Sequence, residues 1–308
     1  MMTEQSLTQP PVGLTGPRDA GPLEINARLE ISARRKAWRK LRRRPGALIG
    51  ATVLILFILV AIFAPLIAPM DPLEISSNRR AAPSSEHWLG TDEVGRDVLS
   101  RLIYGARVSL RVGLVAIGIA LTFGSILGMV AGYVGGWVDA VIMRLTDIML
   151  AFPGILLAIA VVAVLGPSLF NVMIAVGVES IPAYIRTARG STLSVKEMEY
   201  VTGARTIGSS SMRIVLRHIL PNVAAPLIVL ATIGIAGSIL SAAGLSYLGL
   251  GAQPPTPEWG AMLSSARSFV RDAWWIATFP GIAIMLVVLS LNLFGDGLRD
   301  ILDPRMRN

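Results

Sequence analysis

The 308 residues are 53% hydrophobic and 16% charged, with a mean hydropathy of +0.62 and a net charge of +8. Soluble domains carry about 25% charged residues, so this composition excludes an ordinary soluble fold. The absence of cysteine excludes disulfides and thiolate metal sites, and the two histidines, His87 and His218, lie too far apart in sequence to suggest a metal cluster.

The chain opens on a basic tail. Residues 1–44 hold ten Arg or Lys against four acids. Because the tail abuts an apolar run, it reads as a cytoplasmic anchor on anionic lipid rather than as a nucleic-acid arm. Residues 1–27 are polar and contain Gly and Pro, the composition of a disordered leader. A membrane span needs about 20 apolar residues. Gly46–Met70 carries no charge and gives the first span, within a segment taken as 45–70. Val112–Val138 gives the second. The charge-free run Ile148–Val178 is too long for one helix, and Gly166-Pro167 divides it into the third and fourth. Asn222–Leu248 gives the fifth and Ala273–Gly295 the sixth. The prediction is an all-α membrane protein of six transmembrane helices, with a core of residues 108–298 and a short tail of 299–308.

Six spans put both termini on one side. With the N-terminus inside, the inner segments carry 19 Arg or Lys and the outer ones, 71–107 and 249–272, carry seven. The positive-inside rule therefore predicts that both termini are cytoplasmic. In the first outer segment Leu99, Leu102, Ile103 and Ala106 fall at helical spacing, with Arg96, Asp97, Ser100 and Arg101 on the other face. This predicts a short amphipathic helix on the outer surface, with Asp97 and Arg101 paired at i,i+4. The proline-rich 251–260 stretch cannot form a long helix, and Trp274 and Trp275 mark a membrane interface.

Small residues four apart allow close helix approach. They occur as Gly124, Gly128 and Gly132, and as Gly234 and Ser238, with Gly237 and Ser241 one register away. Packing within the chain and contact with a second membrane subunit both remain open for these faces. Glu179 is an ionisable group inside the fourth span. Its readings are a polar pathway residue or a carboxylate reaching water or a neighbouring cation near the inner interface. Arg144 and Asp147 read as an i,i+3 structural pair. No G-x-x-x-x-G-K-[ST], H-E-x-x-H or G-x-S-x-G occurs, so nothing points to a catalytic site, and the chain is not expected to hydrolyse ATP itself.

Residues 190–221 are charged and helix-prone between apolar runs. Ser191 to Ile207 predicts one or two short helices, Gly208-Ser-Ser-Ser211 a break, and Met212 onward a second helix ended by Pro221. With Arg217-His-Ile-Leu-Pro-Asn222, this loop resembles the EAA-x3-G-x9-I-x-L-P element of binding-protein-dependent ABC importer permeases. Gly208, Leu220 and Pro221 match. Thr202-Gly203-Ala204 occupies the EAA triplet, with Thr202 where the acid is usual and Glu197 and Glu199 nearby, and His218 stands at the isoleucine position. His87-Trp-Leu-Gly-Thr-Asp-Glu-Val-Gly-Arg-Asp-Val-Leu-Ser100 is similar to external stretches of the peptide branch. So are Leu248-Gly-Leu-Gly-Ala-Gln-Pro-Pro-Thr-Pro-Glu-Trp-Gly-Ala-Met262 and Asp296-Gly-Leu-Arg-Asp-Ile-Leu-Asp-Pro304. From about residue 40 onward the chain resembles the C-type permease of dipeptide, oligopeptide or glutathione importers.

The resemblance implies a type I permease fold in a bacterial inner membrane. It implies a second homologous permease, two ABC ATPase subunits that hold ATP-Mg, and an external solute-binding protein, with no cofactor, nucleic acid or metal bound by this chain. It assigns ATPase coupling to Tyr200, Thr202, Gly203, Ala204, Arg205, Gly208, Leu220 and Pro221. It assigns binding-protein docking to Gly90, Asp92, Gly95, Arg96, Asp97, Pro257 and Trp259, and leaves Glu179 as the pathway candidate. A nickel-chelate importer remains an alternative within the family. An ATP-independent channel, a secondary transporter or a scaffold remain alternatives outside it.

Overall fold

A computed structural model describes residues 44–302; the expectations for the basic tail, the leader and the last six residues lie outside them. Among the described residues the regular structure is helical, apart from one isolated bridge between Thr91 and Asp97. Helix α1 (Pro45–Ile62) begins on a proline, which costs no hydrogen bond at a first helical position. A short α2 (Ala64–Ile67) follows it. Helix α1 packs on α11 (Trp275–Leu302), where a side chain at Gly50 would meet the Phe294 backbone nitrogen at 2.9 Å.

Helix α3 (Val98–Val134) has 37 residues and is about 55 Å long at 1.5 Å per residue. It runs against α6 (Leu169–Lys196) through the glycine stripe read from the sequence. A Cβ on Gly128 would lie 2.5 Å from the Ile185 carbonyl oxygen and 2.7 Å from Ala188 Cβ, and one on Gly132 would lie 2.8 Å from Thr192 Cβ. That stripe serves packing within the chain. On α9 (Leu220–Tyr247) the two registers part: Gly234 packs on Tyr184 and Ile117, whereas Gly237 and Gly244 face open space.

Five single helices are long and apolar enough to cross a membrane. Helices α4 (Gly136–Leu150) and α5 (Gly154–Leu165), bent by 93° at residues 151–153, are long and apolar enough only as a pair, as a broken span or a re-entrant loop. Pro153 stands in that break, and the residue before a proline is driven out of helical geometry. Gly166, at φ +90°, ends α5, and Ser168 opens α6 by accepting from the Asn171 backbone N–H at 3.1 Å. The division predicted at Gly166-Pro167 therefore stands. The third predicted span is not one straight helix: from residue 148 onward it takes in the end of α4, the break and α5.

Two polar expectations are corrected. Residues 99–106 are the first turns of α3, not a separate surface helix. Residues 71–97 fold over them, so Asp97, Ser100 and Arg101 are buried. Asp97 caps α3 through the Ser100 N–H and contacts His87, while Arg101 pairs with Asp92. Asp147 pairs with Arg186 at 2.8 Å rather than with Arg144, because α4 lies across α6 and aims its acids at that helix.

Candidate coupling element and outer frame

Helix α7 (Glu199–Thr206) follows α6 after a two-residue turn. Val201 is buried in a cluster with Tyr184, Val195, Ile214, Ile219 and Val223, and Ala204, three residues on, is buried on the same face of the helix. The opposite face carries Tyr200, Thr202, Gly203 and Arg205, all exposed. Glu199 in the first turn and Arg205 in the last suit the helix dipole.

The end of α7 is a Schellman motif: the Gly208 N–H donates to the Arg205 carbonyl at 3.0 Å and the Ser209 N–H to Ala204 at 3.1 Å. The motif needs a left-handed residue, and Gly208 has φ +79°. A Cβ there would meet nothing within 4 Å, so the demand for glycine inside this chain is conformational rather than steric.

The chain then turns into α8 (Ser211–Ile214) and a π-helical turn (Val215–Ile219) that runs directly into α9. Pro221 was expected to end the segment. Instead it sits within one continuous helix from Ser211 to Tyr247. An internal proline clashes with the carbonyl four residues back, here Arg217. The π turn, closed by Leu220 N–H to Val215 O, widens the helix there and relieves the clash. Leu220 is half-buried and Pro221 exposed. Asn222 donates to Tyr200 Oη at 3.1 Å and to the His218 carbonyl at 2.7 Å, and the Tyr200 and His218 rings lie 5.9 Å apart. These contacts tie α7 to the start of α9. Asn222 was not singled out by sequence reasoning, because its role depends on Tyr200 being folded back against it.

Around this tie the surface is unusually apolar: Ile207 is 83% exposed and Met212 67%. Arg205, Arg213 and Arg217 lie close to them in sequence and are exposed as well. A cleft of about 490 Å³ beside α7 is lined by Tyr133, Val134, Lys196, Glu197, Arg205 and Ser211.

Glu179 sits on α6 at the α4–α5 elbow, where a Cβ on Gly154 would meet its Cγ and Cδ at 2.9 Å. Its Oε2 is buried and makes no hydrogen bond among the described residues. Arg186, seven residues on, is engaged by Asp147, and Arg189 by Asp139 at 2.5 and 2.6 Å.

At the other end the predicted docking residues are mostly internal. Gly90, Asp92, Gly95, Arg96, Asp97 and Trp259 are buried, and Pro257 is half-buried. Arg101 donates to the Pro72 and Pro255 carbonyls at 3.1 and 3.2 Å, and the Trp259 indole to the Leu102 carbonyl at 3.1 Å. The Trp275 indole donates to the Thr91 carbonyl at 3.1 Å. Glu258 caps α10 (Trp259–Ala266) through the Gly260 and Ala261 N–H groups at 2.9 and 2.8 Å. Burial pushes its carboxyl above the ordinary glutamate value. These residues form a frame that joins both outer segments. What the frame presents outward is Trp88, 69% exposed, with Arg79, Arg80, Gln253 and the Pro254-Pro255 pair.

The pattern of binding-protein-dependent transport system inner membrane components matches residues 124–308. The chain belongs to this family. The N-terminal transmembrane domain of oligopeptide transport permease C matches residues 32–83 of the permease. The permease is 51% identical to the dipeptide transport system permease protein DppC of Alkalihalophilus pseudofirmus, over 90% of this chain and 92% of that protein. It is 52% identical to the glutathione transport system permease protein GsiD of Escherichia coli, over 88% and 90%. It is 48% identical to the di/tripeptide permease DppC of Pseudomonas aeruginosa, over 88% and 92%. Its fold is similar to that of an inward-facing MetNI methionine ABC transporter chain, with a TM-score of 0.54 at 17% identity, over 65% of this chain and 96% of that one. The permease is thus a multi-pass inner-membrane protein of an ABC importer.

Proposed function

We propose that this permease carries di- or oligopeptides or glutathione into the cytoplasm, driven by ATP hydrolysis in two separate ATPase subunits. A second homologous permease completes the pathway, and an external binding protein delivers the cargo. The observation that carries the coupling reading is α7 itself. It is a short helix fixed by Val201 to the body, with Ala204 buried on the same face, ended by Gly208, and exposing Tyr200, Thr202, Arg205 and Ile207. The distribution of Arg and Lys supports placing α7 and both termini in the cytoplasm.

Closure of the ATPases pushes on Tyr200–Gly208. The push passes through the Val201–Ile214–Ile219 cluster to α6 and α9, whose tilt opens the pathway outward. Thr202 replaces the usual acid, so a carboxylate contact to the motor falls to Glu197 or Glu199, both exposed. The binding protein bears on the surface that Gly90–Asp97 and Pro257–Trp259 frame, with Trp88 and Arg79–Arg80 making the contact. Glu179 stands at the elbow of the bent span, where a carboxylate faces any polar cargo that passes. Peptide or glutathione is favoured over nickel by the substrates in the names of relatives near 50% identity. The test is uptake of labelled dipeptide, tripeptide, glutathione and nickel in cells with and without this chain. Loss of peptide or glutathione uptake is the expected result, and loss of nickel uptake alone would contradict the cargo assignment.

A further inference from the structure

Helix α4 has a second face that coupling does not use. Its acids are spent inward, Asp139 on Arg189 and Asp147 on Arg186. The two acids are about 12 Å apart along α4, while the two arginines are only about 4.5 Å apart along α6, so α4 crosses α6 steeply. After the 93° bend it is α5 that runs along α6. Helix α4 therefore lies close to the bilayer plane, at the end of α6 that leads to α7. Its outward face carries Trp137, Val141, Leu145 and Ile148 at helical spacing, all exposed. A groove of about 300 Å³ on this face is lined by Trp137, Ala140, Val141, Arg144 and Leu145. Arg144 is the one ionisable group in the lining, and among the described residues it makes no ion pair.

We infer that α4 is an interfacial helix whose groove holds an anionic phospholipid, with an acyl chain along Trp137–Val141–Leu145 and the headgroup phosphate on Arg144. An apolar stripe with a tryptophan at one end and a basic residue at its border is the pattern of a helix lying in the headgroup layer. An anionic lipid meets both demands of the groove at once, whereas the phosphate of a zwitterionic lipid is offset by its own ammonium and an apolar protein face offers no anion. The inference rests on the cytoplasmic placement proposed above, which sets this helix in the inner leaflet.

The test uses the full-length chain, co-expressed with its partner subunits and reconstituted with brominated phosphatidylglycerol or brominated phosphatidylcholine. Quenching of Trp137 is taken as the difference between wild type and Trp137→Phe. Phosphatidylglycerol is expected to quench at an about fivefold lower mole fraction than phosphatidylcholine. Arg144→Gln should remove that preference and Arg144→Lys should keep it. Equal quenching by the two lipids would overturn the inference, as would a preference that survives in Arg144→Gln. An absence of Trp137 quenching by either lipid would mean that a protein chain covers this face. The readout needs no transport, so failed uptake with an intact lipid preference would strike the transport reading alone.

Discussion

Gly208 is the residue on which local geometry and function separate most cleanly. Its left-handed backbone costs an ordinary L-residue about 1 kcal/mol, less for aspartate, which tolerates that region. A side chain there enters open space in this chain. Gly208→Asp should therefore leave the chain folded in the membrane and put a charge on the surface proposed to meet the ATPase. Tyr200→Phe removes the bond from Asn222, worth about 1 kcal/mol, and should lower coupled ATPase stimulation severalfold while leaving the amount of chain in the membrane unchanged. Glu258 gives a pH signature. Its folded-state pKa is raised, so its contribution to stability is full below the ordinary value of 4.5 and is lost as pH rises through the folded value. The melting temperature of the detergent-solubilised protein should fall over that window, and Glu258→Gln should flatten the fall. A slope unchanged in Glu258→Gln would contradict this account of the cap.

At the scale of elements, the α3–α6 contact is set by missing side chains. Gly128→Leu would force a branched side chain against the Ile185 carbonyl and should cost about 1–3 kcal/mol, seen as a lower melting temperature. Gly237→Leu, on the open register of α9, should not lower the isolated chain's melting temperature, because its side chain meets nothing and a helix interior gains from losing a glycine. The helices themselves were legible because a charge-free run of span length has one physical solution in a bilayer. The polar contacts were not. Asp97 and Arg101 are spaced as a surface pair, but the 71–97 segment folds over them and gives each a partner distant in sequence. Pro221 looked like a terminator because the π turn that accommodates it has no signature in residue type.

Across the whole molecule, two polar ends flank an apolar middle. The outer frame is knitted by Arg101, Glu258, Trp259 and Trp275, and the other end by Tyr200, His218 and Asn222. The short helix and its glycine end were legible in sequence through the Gly208-to-Pro221 spacing, and the coupling role stays with the proposal. Most of the residues expected to dock a binding protein are buried, which the sequence did not disclose because the segment that covers them is distant in sequence. The proposed mechanism has a force on α7 reach the pathway through packed side chains of α6 and α9, and its central claim is that this force comes from another subunit. It is tested most directly by peptide and glutathione uptake in cells that carry Gly208→Asp, alongside the amount of chain and ATPase in the membrane. The account predicts uptake near background, wild-type levels of the chain, and loss of copurifying ATPase. Wild-type uptake in that variant would contradict it.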